Sequence, residues 1–542
     1  MNAIDRAVAA VSPRRGRDRA IARAQLEAID RATRMTASAR PTNSGSEPET
    51  KWRGASRLMR TMSRWLPSIG SAYTDTPPNE RARMISRSYD AWRNHLVAGA
   101  AIVRTRTNVV GTGLTPHSTV NAFVLGITDD EADRLNVQLD DAWASWAEHP
   151  LECDVEATLD FYQLQALALV SALLAGDSFA LTPYIERTPG GWGLKLQLID
   201  GVRVENPENR IDSPTLQQGV ELDQNGFPIA VHIARHHPGD TLMSLHPQDW
   251  DRVQVFGSKT GRRRVMQIWQ DKDRIGQVRG VPMLGPILEP LQVLETYSRA
   301  ELTAAVVSSL FTVFLERTDA ALDSDLNPMA GIVGEGDISA AERDSAATES
   351  IELSAGGIFE LPEGVKISQA NPGRPNAQYA PFFASVVAQI GARLEIPSDV
   401  LMLSYNTSYS AARAAMLEAF RMFTMRRWWL VQQFAAPVRL LWLDECVARG
   451  TVELRNYADP ARRAAFANCM WVGPARGSMD EHKEAAAAKA RIDANLSNET
   501  IETAAMLGES WQRVHNTRVR ERRIATRDSI KNNPPLPPVN GT

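Results

Sequence analysis

The spacing of apolar residues changes along the chain, and this change constrains the fold more than any other feature. Between residues 178 and 270, short stretches alternate between apolar and polar residues, which is typical of β-strands. On both sides of that region, apolar residues recur every three or four positions, which is typical of helices. The pattern therefore predicts an α+β fold in which a β-rich region is followed by long helices.

The β-rich region is preceded by three predicted helices, at about 86–113, 129–148 and 159–175. Five of its segments read as strands: FALTPYIER, LKLQLIDGVRVEN, GVELDQNGFPIAVHIAR, DRVQVFG and RRVMQIWQ. The Asn-Gly pair in DQNGFP predicts the turn of a hairpin.

Long helical patterns follow at 285–317, at 380–396 and from Ser410 to about Arg449. Pro437 lies inside the last of these and predicts a kink. The intervening residues 318–379 are acidic and loosely patterned, and residues 480–530 are again helical in pattern. Composition predicts a partly disordered arm over residues 1–70 and a disordered tail over 531–542.

Composition excludes several classes of protein. The 542 residues are 43% hydrophobic, and the formal net charge is −4. This balance argues against nucleic-acid binding through bulk charge. Cys153, Cys446 and Cys469 lie far apart, which argues against a disulfide framework and a cysteine zinc site and fits a reducing compartment. The longest apolar run, residues 303–315, is too short to span a bilayer.

The search for enzyme chemistry leads to the expectation that the chain is not an enzyme and holds no cofactor or metal. GDSFA, residues 176–180, vaguely resembles a nucleophile elbow around Ser178, but it follows a helix and precedes a strand, the reverse of the required order. Four histidines lie close in sequence: His232, His236, His237 and His246. Alternation along a strand separates His236 from His237, and no acid or cysteine completes a metal shell, so a solvated strand end is expected.

Two basic or aromatic segments have alternative interpretations. Residues 420–434 mix aromatic residues, methionine and arginine; a packed core helix with snorkelling arginines is favoured over a membrane-surface helix or a nucleic-acid stacking platform. Near the C-terminus, four arginines could contact DNA or an acidic partner, or form an ordinary charged helix surface: Arg518, Arg520, Arg522 and Arg523.

Seven blocks between about residue 80 and about residue 510 resemble, in order and spacing, the portal proteins of tailed bacteriophages, specifically the lambda-type portal family. Each block is weak alone, but together they are specific. They are SYDAWRNHLVAGAAIVRTRTNVVGTGL, AGDSFALTPYIER, LQLIDGVRVENP, GVELDQNGFPIAVHI, GQVRGVPMLGPILEPLQVLETYSRAELTAA, YNTSYSAARAAMLEAFRMF and WVGPARGSMDEHKEAAAAKARIDANLSNETI.

The resemblance implies a phage portal fold with wing, stem, clip and crown regions and long stem helices around a central channel. On this sequence it implies a wing at 71–284, a first stem helix at 285–317, a clip at 318–379, a second stem helix at 380–396, a tunnel loop at 397–410, a long kinked helix with further wing at 411–479, and a helical crown at 480–530.

The resemblance also implies a function. Portal subunits form a ring of roughly twelve copies at one capsid vertex, and double-stranded DNA enters and leaves through its channel. The implied partners are further copies of the chain, the terminase large subunit, the major capsid and scaffold proteins and the head–tail connector, with no membrane. The implied location is the virion, and the host cytoplasm during assembly.

The implied tunnel loop contains Ser404, Tyr405, Asn406, Thr407, Ser408 and Tyr409. No Lys or Arg lies between Pro397 and Ser410, so we expect weak polar contacts that let DNA slide, since basic side chains would hold its phosphates. A simpler interpretation, compatible with the first, is that Ser408 or Ser410 caps the following helix.

Two other functional classes stay open at this stage. One is a nucleic-acid-binding assembly scaffold that forms no ring. The other is a serine hydrolase of head assembly that uses Ser178, although no paired base is evident in the sequence.

Overall fold

The computed structural model describes residues 64–65, 67, 69–240, 249–270, 272–310, 314–317, 365–368, 376–405, 408–477 and 480–532. The chain divides into two units, Met1–Gly70 and Ser71–Thr542, and the elements named below lie in the second. Most of the predicted arm, most of the insert at 318–379 and the tail beyond Asn532 lie outside the described residues.

The first half of the second unit is helical and then β-rich, as predicted. Its elements are α1 (Ala72–Asp75), α2 (Pro78–Asn94), α3 (Leu96–Val109), β1 (Thr115–Ser118), α4 (Ala122–Leu125), α5 (Asp129–Ala147), α6 (Pro150–Cys153), α7 (Phe161–Ala175), β2 (Asp177–Leu181), β3 (Gln197–Asp200), β4 (Leu216–Gln217), β5 (Val220–Leu222), β6 (Pro228–Ala234), β7 (Trp250–Gln254) and β8 (Val265–Trp269).

The second half is mostly helical. Its elements are α8 (Leu288–Leu310), β9 (Phe314–Arg317), β10 (Val365–Ser368), α9 (Tyr379–Leu394), α10 (Ser398–Met402), α11 (Tyr409–Leu430), a π-helical turn (Val431–Ala435), α12 (Ala436–Arg449), α13 (Pro460–Ala467), β11 (Cys469–Val472), α14 (Glu481–Asp493), α15 (Glu499–Leu507) and α16 (Trp511–Asn532).

Local sequence explains where the helices around the core begin. Thr128 and Glu131 form a reciprocal capping box at the start of α5, and Asp160 and Gln163 form another at the start of α7. Each box satisfies backbone N–H groups that have no partner inside the helix. Helix α7 is apolar on most of its surface and is largely buried, as a helix of that composition must be in water.

The β-rich region forms two antiparallel sheets. One has the order β3-β2-β8 and the other the order β4-β5-β6-β7. The predicted Asn-Gly turn joins β5 to β6, and Gly226 there has φ +80°, a backbone conformation that glycine adopts without strain. A small apolar core includes Phe179, Val231 and Val265 from the two sheets.

The main core lies among the helices. Trp143 and Trp146 of α5 pack with Phe161 of α7, and Trp442 of α12 meets Trp143 edge to face at 5.2 Å. Arg439 lies over Trp143 and Trp442 and donates a hydrogen bond to Ser118 Oγ at 2.6 Å. This aromatic centre joins α5, α7 and α12, so the long C-terminal helical segment is held on the N-terminal helices.

Two predicted helices differ from the structure. The single helix expected over 86–113 is two helices, because His95 is extended between α2 and α3. The helix expected over 285–317 begins with a 3₁₀ turn at Gly285–Ile287 and ends at Leu310. Residues Phe314–Arg317 instead form β9, which pairs antiparallel with β10. A short apolar run rich in aromatic and β-branched residues fits either state, so its pattern could not separate helix from strand.

The irregularity expected near Pro437 is present. The π-helical turn Val431–Ala435 separates α11 from α12 just before this proline. Proline lacks an N–H and crowds the preceding helical turn, so a regular α-helical hydrogen bond cannot form to Gln433. Gln433, which lies in this π-helical turn, accepts a hydrogen bond through its side chain from Trp269 N–H on β8 at 2.8 Å.

Candidate functional site

The segment between α9 and α11 is more ordered than a simple loop. Helix α9 ends at Glu395, whose φ is +60°, and the short helix α10 ends at Leu403, whose φ is +52°. The segment 397–410, which the resemblance implies to be a tunnel loop, therefore contains the short helix Ser398–Met402, whose buried Val400 and Leu401 hold this part against the core. Only the residues after Met402 are free to form a projecting loop.

The exposed part of this segment carries tyrosine and serine. The side chains of Tyr405 and Tyr409 are 50% and 51% exposed. Ser404 N–H donates to the Asp399 carbonyl at 3.2 Å, while Asn406 and Thr407 lie outside the described residues. Four of the six predicted residues are thus placed together at the start of α11.

The capping role predicted for Ser408 or Ser410 belongs to Ser408. Its hydroxyl accepts a hydrogen bond from Ala411 N–H at 3.4 Å, and its backbone is extended, as in an N-cap residue. Ser410 lies within α11.

Basic side chains border the loop, but acids accompany them. Arg413, one turn into α11, lies 3.7 Å from Glu484. Lys483 of α14 lies 2.9 Å from Asp480, and the hydrogen bond that Lys483 donates to this carboxylate raises the pKa of Lys483. The nearest cations are therefore compensated locally, and the loop presents hydroxyl and aromatic groups to solvent.

A buried ion cluster is the feature that the sequence did not predict. Asp177, which follows α7, is fully buried. Its carboxylate accepts from Arg81 Nη2 at 2.8 Å and from Arg279 Nε and Nη2 at 2.6 and 2.9 Å. Gln267 Nε2 and the Gly280 N–H also donate to it, each at 3.1 Å. Burial alone would raise the pKa of Asp177, but the two guanidinium groups hold it below its ordinary value.

This cluster joins three parts of the fold. Arg81 comes from α2, Asp177 begins β2, and Arg279 lies in the segment that leads into α8. The contacts connect residues 96 and 102 positions apart in sequence. No local pattern signals such a contact, and GD at a helix end predicts only a turn.

Ser178, the candidate nucleophile, is a buried structural residue. It is 1% exposed, and its hydroxyl donates to the Ala168 carbonyl of α7 at 3.1 Å. It follows a helix and opens a strand, the order expected from the sequence.

The histidines do not converge on one site. His232 of β6 lies 2.7 Å from Glu221, and His237 accepts a hydrogen bond from Gly239 N–H, while His246 lies outside the described residues. Among the described residues, no group of three or more His, Cys, Asp or Glu side chains is arranged to hold a metal ion.

One face of the aromatic segment 420–434 lies in the core, whereas Met425 and Trp428 are 46% and 64% exposed. Met422, Phe423 and Trp429 are buried, as predicted. Arg426 does not snorkel to the surface; it is buried beside Met283 and Thr105. Within the described part of the chain, no helix is both long and apolar enough to cross a membrane.

The four C-terminal arginines all lie on α16, and all are exposed. Helical geometry does not bring them to one face. Arg520 and Arg523 lie on one side, and Arg518 and Arg522 on the other.

Comparison with known proteins gives consistent matches. The model of a family described as phage portal protein, lambda family, matches residues 59–427. The chain is 25% identical over 475 residues to Portal protein B of Escherichia phage lambda, covering 84% of this chain and 86% of that protein. It is 24% identical over 475 residues to the Portal protein of Escherichia phage N15, covering 84% of this chain and 87% of that protein.

Among solved structures, the virion of a native gene transfer agent particle matches with a TM-score of 0.40 at 12% identity, over 70% of this chain and 93% of the other. The family model covers more than half of the chain, and both portal proteins align along most of their length. The chain therefore belongs to the lambda family of phage portal proteins.

Proposed function

We propose that copies of this chain form a closed ring of roughly twelve subunits at one capsid vertex, and that double-stranded DNA passes through its channel during packaging and ejection. Membership of the portal family supports the assignment. Proteins of this family are structural and not enzymatic, so the chain carries out no reaction of its own.

The observation that supports the ring is a pair of helices, each of which has exposed apolar side chains and a long stretch without charge. Tyr297 near the middle of α8 packs against Tyr379 and Phe382 at the start of α9. Neither residues 302–310 of α8 nor residues 379–392 of α9 include a charged side chain. A single chain does not bury the exposed apolar side chains of these two helices.

Exposed apolar side chains on both helices support burial against neighbouring copies. Leu302 is 67% exposed, and Val293 and Phe382 are also exposed. In a closed cyclic ring each subunit uses two different faces, so a helix pair with apolar residues on both members suits contact with two neighbours. We propose that α8 and α9 are the stem of the ring.

The segment from Ser404 to Tyr409 is the proposed contact with moving DNA. Its tyrosines are half-exposed, it carries no basic residue, and the nearest cations have acidic partners. Each basic contact to a phosphate would release counterions and hold the duplex. Weak polar contacts instead permit sliding.

Docking of terminase and the head–tail connector is proposed for the region between α8 and α9. In this region strand β9 follows α8, strand β10 precedes α9, and the two strands pair with each other. The sequence between the two strands is acidic. A charged, polar surface suits partners that replace one another during assembly. Mature rings would lie in the neck of the virion, after assembly in the host cytoplasm with capsid and scaffold proteins.

The loop is tested by adding a positive charge to it. Tyr405→Lys places one new cation per subunit near the DNA. We expect the rate of packaging to fall at low salt and to return towards that of the parent protein as the salt concentration approaches about 200 mM. Packaged DNA length is measured over time with procapsids that carry the variant ring and purified terminase.

Two controls separate charge in the channel from other effects. Tyr405→Phe keeps the ring and removes only the hydroxyl, and it should package like the parent protein. Ile211→Lys adds the same charge at a fully exposed wing position. Normal packaging by Tyr405→Lys, or equal slowing by Ile211→Lys, would contradict the assignment of the loop.

A further inference from the structure

One face of α16 carries a continuous row of arginines. At about 100° per residue, Arg513, Arg520, Arg523 and Arg527 fall within an arc of about 80° and extend about 21 Å along the helix. Asn516 lies in the same arc. All four arginines are exposed.

Most of the arc faces away from the half-buried side of α16. The half-buried Trp511 and Val514 lie about 140° to 160° from its centre, whereas the half-buried Gln512 and Val519 lie just outside the arc, beside Arg523. Arg518 and Arg522 lie on the side of the half-buried residues, about 140° to 180° from Arg513. The four arginines between residues 518 and 523 therefore divide into two pairs on different sides of the helix.

Within the described residues, two arginines of the arc have no acidic partner. Arg513 lies 3.6 Å from Glu509, but within the described residues Arg520 and Arg523 form no ion pair. Arg520 and Arg523 are three positions apart, and Arg523 and Arg527 four, spacings at which like charges repel on a helix. A bound polyanion would relieve this repulsion.

We propose that this face, Arg513, Asn516, Arg520, Arg523 and Arg527, binds the phosphate backbone of double-stranded DNA without sequence preference. The choice of DNA rests on the proposed function, whereas the choice of face rests on the geometry of α16 alone. The face would hold DNA, in contrast to the uncharged loop at Tyr405, which would let it slide.

The chemistry of the face favours phosphate over an acidic protein. Guanidinium groups bind phosphate oxygens through two parallel N–H donors, and asparagine also donates to phosphates. Protein interfaces have a centre from which charged residues are depleted, yet the arc contains no apolar side chain. A surface made only of arginine and asparagine is typical of nucleic-acid backbone contact.

Two double variants with equal charge change test the face. Arg520→Ala with Arg523→Ala removes two arginines from the arc, and Arg518→Ala with Arg522→Ala removes two from the other side of the same helix. Binding of the purified full-length protein to a mixed-sequence duplex of about 30 base pairs is measured by fluorescence anisotropy between about 50 and 200 mM salt.

The arc variant should bind roughly fivefold or more weakly at about 100 mM salt, and the slope of log affinity against log salt should fall by about two. The other variant should stay within about twofold of the parent protein. Equal weakening by both variants, or none by the arc variant, would overturn the proposal.

A charge-retaining variant guards against misfolding. Arg520→Lys with Arg523→Lys should restore most of the salt dependence, because lysine also neutralises phosphates. If it binds as weakly as the alanine pair although circular dichroism shows an intact fold, simple phosphate contact is wrong. Binding to poly-L-glutamate, which represents an acidic protein, is measured in the same way. If the arc variant loses affinity for poly-L-glutamate but not for the duplex, the partner is an acidic protein and the proposal fails.

The same preparations separate this proposal from the ring. Light scattering reports the mass of each variant. If the protein forms rings and the arc variant binds the duplex as tightly as the parent protein, only the DNA-binding face is refuted. Protein that never forms rings, yet loses duplex affinity in the arc variant alone, would refute the ring and support the face.

Discussion

Asp177 is held by two arginines that come from distant parts of the chain, and this cluster fixes how the β-rich region meets the segment leading into α8. The carboxylate is fully buried, and Arg81 and Arg279 are nearly so. Buried ions are costly to remove from water, and the cost is offset only while the partners remain together.

Asp177→Asn should destabilise the protein by about 3 to 5 kcal/mol, because it leaves two buried guanidinium groups without their anion. The free energy of unfolding is measured by urea denaturation followed by tryptophan fluorescence. Asp251→Asn is the control, since Asp251 forms an exposed pair with Arg235 and its loss should change little. Equal stability of the two variants would show that the cluster is not a structural tie.

Glu502 provides a test in pH. Hydrogen bonds from Arg491 Nε and Nη2, at 2.8 and 2.5 Å, lower the pKa of Glu502 to about 2 from the ordinary 4.5. A carboxylate whose pKa is lowered by folding stabilises the protein above its unfolded pKa, and that contribution is lost as pH falls through the folded pKa.

Glu502→Gln should therefore be less stable than the parent protein at neutral pH, and the difference should shrink as pH falls from 4.5 towards 2. Urea denaturation of both proteins at successive pH values measures the difference. A difference that stayed constant through this range would mean that the ion pair joining α14 to α15 does not set the pKa.

What the sequence could predict at this scale follows from the range of each interaction. A helix cap at Ser408 or Ser410 could be predicted because capping depends on the next three residues, and the structure assigns it to Ser408. The Asp177 cluster could not be predicted, since its members are about a hundred positions apart and each alone is an ordinary charged residue. The burial of Arg426 was missed for the same reason.

At the scale of elements, periodicity predicted the strands and most helices, and it failed where two states share one pattern. Phe314–Arg317 continue an apolar helical pattern in the sequence, but in the structure they form β9, which pairs with β10. Helix α10 was missed inside the segment 397–410 because five residues are too few to show a helical period.

The pair α8 and α9 gives the prediction that belongs to this scale. Leu302→Asp replaces an exposed leucine, which the ring would bury between subunits, with a carboxylate, so it should prevent or weaken ring formation while leaving a single chain folded. Mass is measured by light scattering, and folding by circular dichroism. Ile211→Asp adds the same charge at an exposed position of the β-rich region and should still form rings. Normal rings from Leu302→Asp would show that this face of α8 is not between subunits.

At the scale of the whole molecule, the described residues combine a well-packed core with surfaces that a single chain does not use. The aromatic centre around Trp143 joins the N- and C-terminal helices. The helix pair α8 and α9, the loop at Tyr405 and the arginine face of α16 extend from that core and remain exposed. The proposed closed ring around DNA would give each of these three surfaces a partner.

The mass and shape of the purified protein test the ring most directly. Light scattering and negative-stain electron microscopy should give closed particles with a central hole and a mass of roughly twelve subunits. Where the protein alone is monomeric, the measurement is repeated with its capsid and scaffold proteins, which can supply the contacts that close a ring. A chain that stayed monomeric beside those proteins would contradict the proposed function.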